Sequence, residues 1–246
     1  VNVLRSIKSW SLGTMTLFSV VLSVVATALL LPKDVEDRTL YTILAKPVPR
    51  FDYLAGKLLG VLMLVFVSLA LMDLLMVIVL QIRTTLVLQQ QVEMGRQLGW
   101  GVAEIAKLKA ETYAQGPTWS LQAGVAAVFI RSGIIAALAL MISTFSTSTL
   151  FTTIISFLVY FIGHFQADAR EAFFHSAATG QGPLMRGVTL ITSLVLPDFS
   201  LFNVIDSVIE GQIFPGMLLL KLAALGVFYA ILYTISSWFI FAKKEF

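Results

Sequence analysis

The sequence predicts an all-α membrane protein, a polytopic helical bundle with five visible spans in a single domain over residues 1–246. Composition is the first reason. The chain is 58% hydrophobic and only 13% charged, with a mean hydropathy of +0.89, whereas soluble domains carry about 25% charged residues. The second reason is that five apolar runs reach or approach the ~20 residues that cross a bilayer. The third is that most charges lie between these runs.

The predicted spans are residues 12–31, 58–80, 121–143, 147–163 and 216–241. They are joined by a charged segment over 32–57, a polar segment over 81–120, a tight Ser/Thr turn at 143–149 and a long segment over 164–215. The 81–120 segment has a helical pattern until Gly116-Pro117 breaks it. Residues 187–196 are uncharged and mostly apolar but stop at Pro197-Asp198, which predicts a re-entrant or interfacial helix at the outer face.

The segment between the first two spans is the most informative part of the chain. Lys33 to Lys57 holds nine of the 31 charged residues. Asp34 is placed to cap a helix over 34–45, with Asp37 as a weak capping-box partner. One side of this helix carries Val35, Thr39, Leu40, Ile43 and Leu44, together with the misfit Glu36, and the other carries Asp37, Arg38 and Tyr41. Pro47 and Pro49 then end it. Such a helix suits docking on a soluble partner.

Basic residues predict the orientation. If 32–57 and the C-terminus face the cytoplasm, the inside segments hold seven Lys and Arg in 38 positions and the outside segments hold eight in 103. The positive-inside rule therefore places 32–57 and the C-terminus in the cytoplasm. Five spans then leave the N-terminus outside. We expect a further run of about 20 apolar residues upstream of Val1, which would make six spans.

Two charges lie well inside apolar runs, Asp73 in the second span and Arg131 in the third. A charge at the bilayer centre costs at least ~2.5 kcal/mol, so each should face protein or a wet cavity. Their depths differ by only about 5 Å, which allows a direct pair if the two helices are neighbours. They are a candidate polar lining of a translocation path. The alternative is a structural contact between helices.

Other motifs give weaker signals. Gly56 and Gly60 have the Gly-x-x-x-Gly spacing of a close helix contact. The sequence has no phosphate-binding loop, no cysteine and no metal-ligand spacing at His164 or His175, which fit ordinary surface histidines. Lys221 is placed to snorkel outward from the last span. The small net charge of +3 gives no reason to expect nucleic acid as a partner, and membrane lipid is the expected surrounding.

Three segments together resemble type-2 ABC exporter permeases. They are LPKDVEDRTLYTILAKPVPR at 31–50 with LAGK at 54–57, LPDFSLFN at 196–203, and YAILYT at 229–234 with FAKKEF at 241–246. The resemblance implies a six-span subunit of a bacterial or archaeal cell (inner) membrane. It implies pairing with a second permease, as a homo- or heterodimer, and binding to two copies of a cytoplasmic ATP-binding subunit. ATP and Mg²⁺ would bind that partner, and this chain would bind no cofactor and catalyse no reaction.

The resemblance also assigns the segment over 32–57 as the region that couples ATP hydrolysis to export. The residues expected to contact the ATPase are Asp34, Glu36, Asp37, Arg38, Leu40, Tyr41, Leu44, Lys46, Pro47 and Arg50. The outer segments would gate the exit, and the family's short helices before the last span fit residues 187–214. Two other hypotheses stay open. One is a non-transporting membrane scaffold or assembly factor that docks a cytoplasmic protein through residues 33–52. The other, less supported, is a membrane-embedded enzyme that uses His164, His175 and Asp198.

Overall fold

The computed structural model describes residues 2–36, 49–146, 148–165, 197–209 and 215–242, and all of their regular structure is helical. In chain order the elements are α1 (Asn2–Glu36), α2 (Arg50–Gln97), α3 (Val102–Ala114), α4 (Trp119–Phe145), α5 (Thr149–His164), a 3-10 helix (Phe199–Phe202), α6 (Ile205–Ile209) and α7 (Gly216–Ala242). The predicted all-helical class is thereby confirmed.

Four of these helical segments are long and apolar enough to cross a membrane, and they contain α1, α2, α4 and α7. The predicted span over 147–163 corresponds to α5, whose 16 residues extend about 24 Å, somewhat less than ~30 Å of hydrocarbon. Both α1 and α2 are longer than the predicted spans. The 48 residues of α2 extend about 72 Å, so this helix runs well beyond the thickness of a bilayer.

The core of the bundle is α4, which contacts α1, α2, α5 and α7. Of the 18-residue apolar stretch in the helical segment that contains α4, 78% is buried, against 22% for the corresponding stretch of α2 and 28% for that of α7. Small residues permit this close packing. At Gly226 of α7 there is no room for a Cβ beside Ile130 of α4. Hydroxyls add a polar contact, since Ser132 of α4 donates to Ser19 of α1 with an Oγ–Oγ distance of 2.8 Å.

A helical hairpin extends the bundle at one end, where the polar half of α2 turns back into α3. The backbone N–H groups of Gly99 and Trp100 donate to the carbonyls of Arg96 and Gly95, which is the Schellman pattern of a helix C-terminus. Gly99 has φ +76°, which a residue without Cβ adopts without strain. Glu104 Oε2 accepts from the Gly101 N–H at 3.0 Å and so caps α3. The helical pattern predicted over 81–120 is therefore confirmed, with one additional turn.

The helix ends divide between two opposite ends of the bundle. We call the end that holds Arg50 and Ala242 the base, because these two residues are hydrogen-bonded there. The opposite end is the top, where Lys8 of α1 donates to Gln115 before α4 and where Gly163 packs against Phe199. Among the described residues, the start of α2 and the end of α7 lie at the same end, as the predicted grouping of the 32–57 segment with the C-terminus requires.

Candidate functional site

The predicted coupling helix is only partly described. Asp34 and Glu36 belong to the last turn of α1, so the prediction that Asp34 caps a new helix is wrong. The physical reason is that the backbone hydrogen bonds of α1 continue beyond residue 31, where the predicted span ended, and pass Pro32. Residues 37–48, which include Asp37, Arg38, Leu40, Tyr41, Leu44, Lys46 and Pro47, lie outside the described residues.

Arg50 is the predicted coupling residue whose side-chain contacts are defined. Its Nη1 donates to the carbonyl oxygens of Phe241 at 3.2 Å and Ala242 at 2.8 Å. These carbonyls are at the C-terminus of α7. The last carbonyls of a helix have no N–H partner within the helix, and they carry partial negative charge. Arg50 thus joins the start of α2 to the end of α7 through two charge-assisted hydrogen bonds.

Aromatic rings extend this junction at the base. Tyr53 stacks on Phe241 with ring centroids 6.0 Å apart, and Phe51 meets Trp238 edge-on at 6.5 Å. Arg50 and these four aromatic residues form what we call the base cluster. Lys57 places its Nζ 5.6 Å from the Tyr53 ring centroid, one turn further along α2. The base cluster makes the entry of α2 and the exit of α7 one packed unit.

A second group of polar atoms lies between α2 and α4 nearer the top. Asp73 Oδ1 accepts from Gln122 Nε2 at 3.2 Å. The two side chains line a cavity of about 320 Å³ that also contains the rings of Phe66 and Phe129, whose centroids are 5.7 Å apart. The carboxylate is therefore paired with a neutral amide at the polar end of an otherwise apolar groove.

A third group surrounds Arg131, whose side chain is only 3% exposed. Its Nη2 donates to the Tyr160 hydroxyl at 2.6 Å and lies 3.4 Å from His164 Nδ1. The guanidinium carbon is 5.1 Å from the Tyr160 ring centroid and 5.9 Å from that of Phe199, within cation–π range. Its Nε has no hydrogen-bond partner in the described structure. This group connects α4, α5 and the 3-10 helix at the top.

The direct pair of Asp73 with Arg131, which the sequence allowed but did not require, does not form. Asp73 meets Gln122, and Arg131 lies nine residues further along the same helix. At about 100° per residue, nine residues rotate the side chain by about half a circle. Asp73 of α2 therefore meets one face of α4, and the side chain of Arg131 leaves α4 from the opposite face. They belong to different sites, and the sequence could not reveal this because it did not identify the neighbours of each face.

Several contact residues could not be found by sequence reasoning. Gln122, Tyr160 and Phe199 become evident only as partners of the two membrane charges. Lys8, a basic residue shortly before the first apolar run, has a fully buried side chain that donates to Gln115. When a polar residue flanks an apolar run, the sequence does not predict which helix its side chain will contact.

Other predictions from the sequence have mixed outcomes. Added Cβ atoms at Gly56 and Gly60 would meet nothing within 4 Å, so the predicted close contact is absent from the described structure. The exposed Lys221 agrees with an outward side chain. Among the described residues no group of three His, Cys, Asp or Glu is placed to hold a metal ion. His175 and the apolar run over 187–196 lie outside the described residues.

Comparison of the chain with protein-family models, with curated proteins and with solved structures gave no match.

Proposed function

We propose that this chain is the membrane-spanning permease subunit of an ATP-driven exporter of the type-2 ABC kind. Under this proposal the base faces the cytoplasm of a bacterial or archaeal cell, and the top faces outward. Two copies of a separate ATP-binding subunit hydrolyse ATP below the base. A second permease, identical or different, completes the translocation unit.

The observation that carries the proposal is the junction made by Arg50. This residue ends the first segment that resembles the exporter permeases, and its partners Phe241 and Ala242 both belong to the third. Two segments almost 200 residues apart in the chain thus meet at the end where the ATPase would bind. A motif that joins the first loop to the last span is what a coupling region needs, because it passes one movement to two helices.

The length of α2 supports a mechanical role. This helix runs without interruption from the base cluster to the hairpin at the top. Displacement of its first turn by the ATPase would move the far end as well, since a continuous hydrogen-bonded helix is stiff over its length. The Asp73 groove and the hairpin both lie along α2, so movement at the base can reach both.

Short helices before the last span also support the proposal. The 3-10 helix and α6 pack at the top, where Gly124 of α4 contacts Val208 and Gly163 of α5 contacts Phe199. The exporter permeases that the sequence resembles have short helices in the corresponding outer segment. In this chain they cover the top ends of α4 and α5, where a gate on the exit path would act.

The test is site-directed crosslinking of this cysteine-free chain. Single cysteines along residues 34–45 should crosslink to a cysteine-bearing ATP-binding subunit encoded by a neighbouring gene and co-expressed with it. Cysteines at Glu104 and Lys107, both exposed on the hairpin, serve as controls that should not crosslink. If no position over 34–45 crosslinks while the complex remains intact, the coupling role is refuted.

A further inference from the structure

We infer that the groove between α2 and α4 binds an amphipathic cation, a lipophilic molecule with one positive charge. That the groove is a substrate site rests on the proposed exporter function. That it binds a cation of this kind rests only on the residues that line it. Three features of the groove favour such a ligand: the unbalanced charge of Asp73, the apolar walls, and the position of Asp73 relative to the bilayer.

The charge of Asp73 has no cationic partner among the described side chains. Its carboxylate accepts a hydrogen bond from the Gln122 amide, and the lining of the groove contains no Lys, Arg or His. A carboxylate held among apolar side chains attracts a cation more strongly than one in water, because the surroundings screen it less. The neutral amide orients the carboxylate without neutralising it.

The walls of the groove suit an apolar body. Its volume of about 320 Å³ falls in the lower part of the range for small-molecule pockets. Phe66 and Phe129 meet edge to face at a ring angle of 75°, and ring faces of this kind attract cations. The combination of aromatic walls with one acidic group is the usual chemistry for recognising organic cations rather than hydrated metal ions.

The position of Asp73 favours entry from the membrane. It lies seven residues before Leu80, the last residue of the predicted span, and therefore about 10 Å below that end. Phe66 is 52% exposed, so the groove is open on the side of the bundle. A lipophilic cation dissolved in the bilayer could reach the carboxylate sideways, whereas a hydrophilic cation would have to shed its water first.

The probe for this inference is tetraphenylphosphonium, and tetraphenylborate is its control because it has a similar size and shape with the opposite charge. Equilibrium binding of each ion is measured on the whole chain in lipid nanodiscs, with empty nanodiscs as background. We expect tetraphenylphosphonium to bind the wild-type chain, and Asp73→Asn to lower its affinity at least tenfold. Tetraphenylborate should bind weakly and should not lose affinity in the variant.

Three further variants separate the effect of the Asp73 charge from effects on the fold and from the loss of any other charge. Asp73→Glu retains the charge and should retain most of the affinity. Ala70→Trp fills the groove from the exposed face of α2 and should lower the affinity although Asp73 is intact. Asp52→Asn removes an exposed charge at the start of the same helix and should have no effect.

Equal affinity of wild type and Asp73→Asn for tetraphenylphosphonium would overturn the inference. So would equal losses in Asp73→Asn and Asp73→Glu with none in Ala70→Trp, because Asp73 would then act only on the fold. The binding assay needs no ATPase, so its outcome is separable from the proposed function. A chain that binds the cation but contacts no ATPase refutes the exporter alone, and one that contacts the ATPase without binding the cation refutes the groove alone.

Discussion

The hydrogen bond between Arg131 and Tyr160 gives a quantitative test of the structure. The change is Tyr160→Phe, which removes the hydroxyl that accepts from Nη2 at 2.6 Å but keeps the ring beneath the guanidinium. His164 Nδ1 at 3.4 Å is a weak replacement at this distance. The variant therefore leaves a nearly fully buried cation with fewer acceptors, and the free energy of unfolding should fall.

The expected size of the loss follows from two limits. Hydrogen bonds to charged groups contribute about 1.5–3 kcal/mol in soluble proteins. Polar contacts between helices in membranes average about 0.6 kcal/mol and reach about 1.7. The short distance and deep burial of Arg131 place this bond near the upper membrane value, so we expect a coupling energy of about 1.5 kcal/mol between the two side chains.

The measurement is a double-mutant cycle with Arg131→Met, using reversible unfolding of the chain in mixed detergent and lipid micelles. Tyr160→Phe should cost about 1.5 kcal/mol beside Arg131 and less than about 0.5 beside Met at that position. Tyr113→Phe, which removes an exposed hydroxyl on α3, should change stability by less than about 0.5 kcal/mol. Equal costs of Tyr160→Phe in both backgrounds would show that the bond is not made.

Three further predictions test the topology, the packing at the top and the junction at the base. Single cysteines at Gln166 and Gly211 should both react with an impermeant thiol reagent added from outside the cell, and labelling of either only from the cytoplasm would contradict the predicted topology. Gly163→Ala should lower the free energy of unfolding by about 1–3 kcal/mol because its Cβ would come within 2.8 Å of a backbone carbonyl oxygen. Gly60→Ala, in open space on a helix, should stabilise the chain by about 0.5–1 kcal/mol, and a larger loss there than at Gly163 would refute the packing. Arg50→Ala should lower the free energy of unfolding by about 1–2 kcal/mol in the same assay by leaving the α7 carbonyls unpaired, and no change would show that this junction carries no stability.

The fold could be predicted from the sequence where hydrophobicity alone decides it. The run at 121–143 became a helix over Trp119–Phe145, and the run at 216–241 became one over Gly216–Ala242. The same criterion underestimates α2, which was predicted to cross the membrane over 58–80 but extends from Arg50 to Gln97. An apolar run ends where the bilayer ends, whereas the backbone hydrogen bonds of a helix continue through polar sequence.

The candidate sites could be predicted only in part. The sequence identifies Asp73 and Arg131 because a charge inside an apolar run is costly and therefore informative. It does not reveal that Gln122 meets one and Tyr160 the other, since periodicity gives the face of a helix but not its neighbour. The Arg50 junction was likewise invisible, because its acceptors are backbone carbonyls at the end of another helix.

The central proposal is that ATP bound to a partner subunit moves this chain, and thiol labelling at the top measures that movement directly. The chain, carrying one cysteine in place of the exposed Phe165 at the top end of α5, is reconstituted with its ATP-binding subunit in liposomes. We predict that ATP with vanadate, which traps the ATPase after hydrolysis, changes the labelling rate at this position several-fold. A cysteine in place of the exposed Glu104 should label at the same rate in both states. An unchanged rate at Phe165, in a complex that hydrolyses ATP, would contradict the exporter and favour a scaffold that holds its partner without moving.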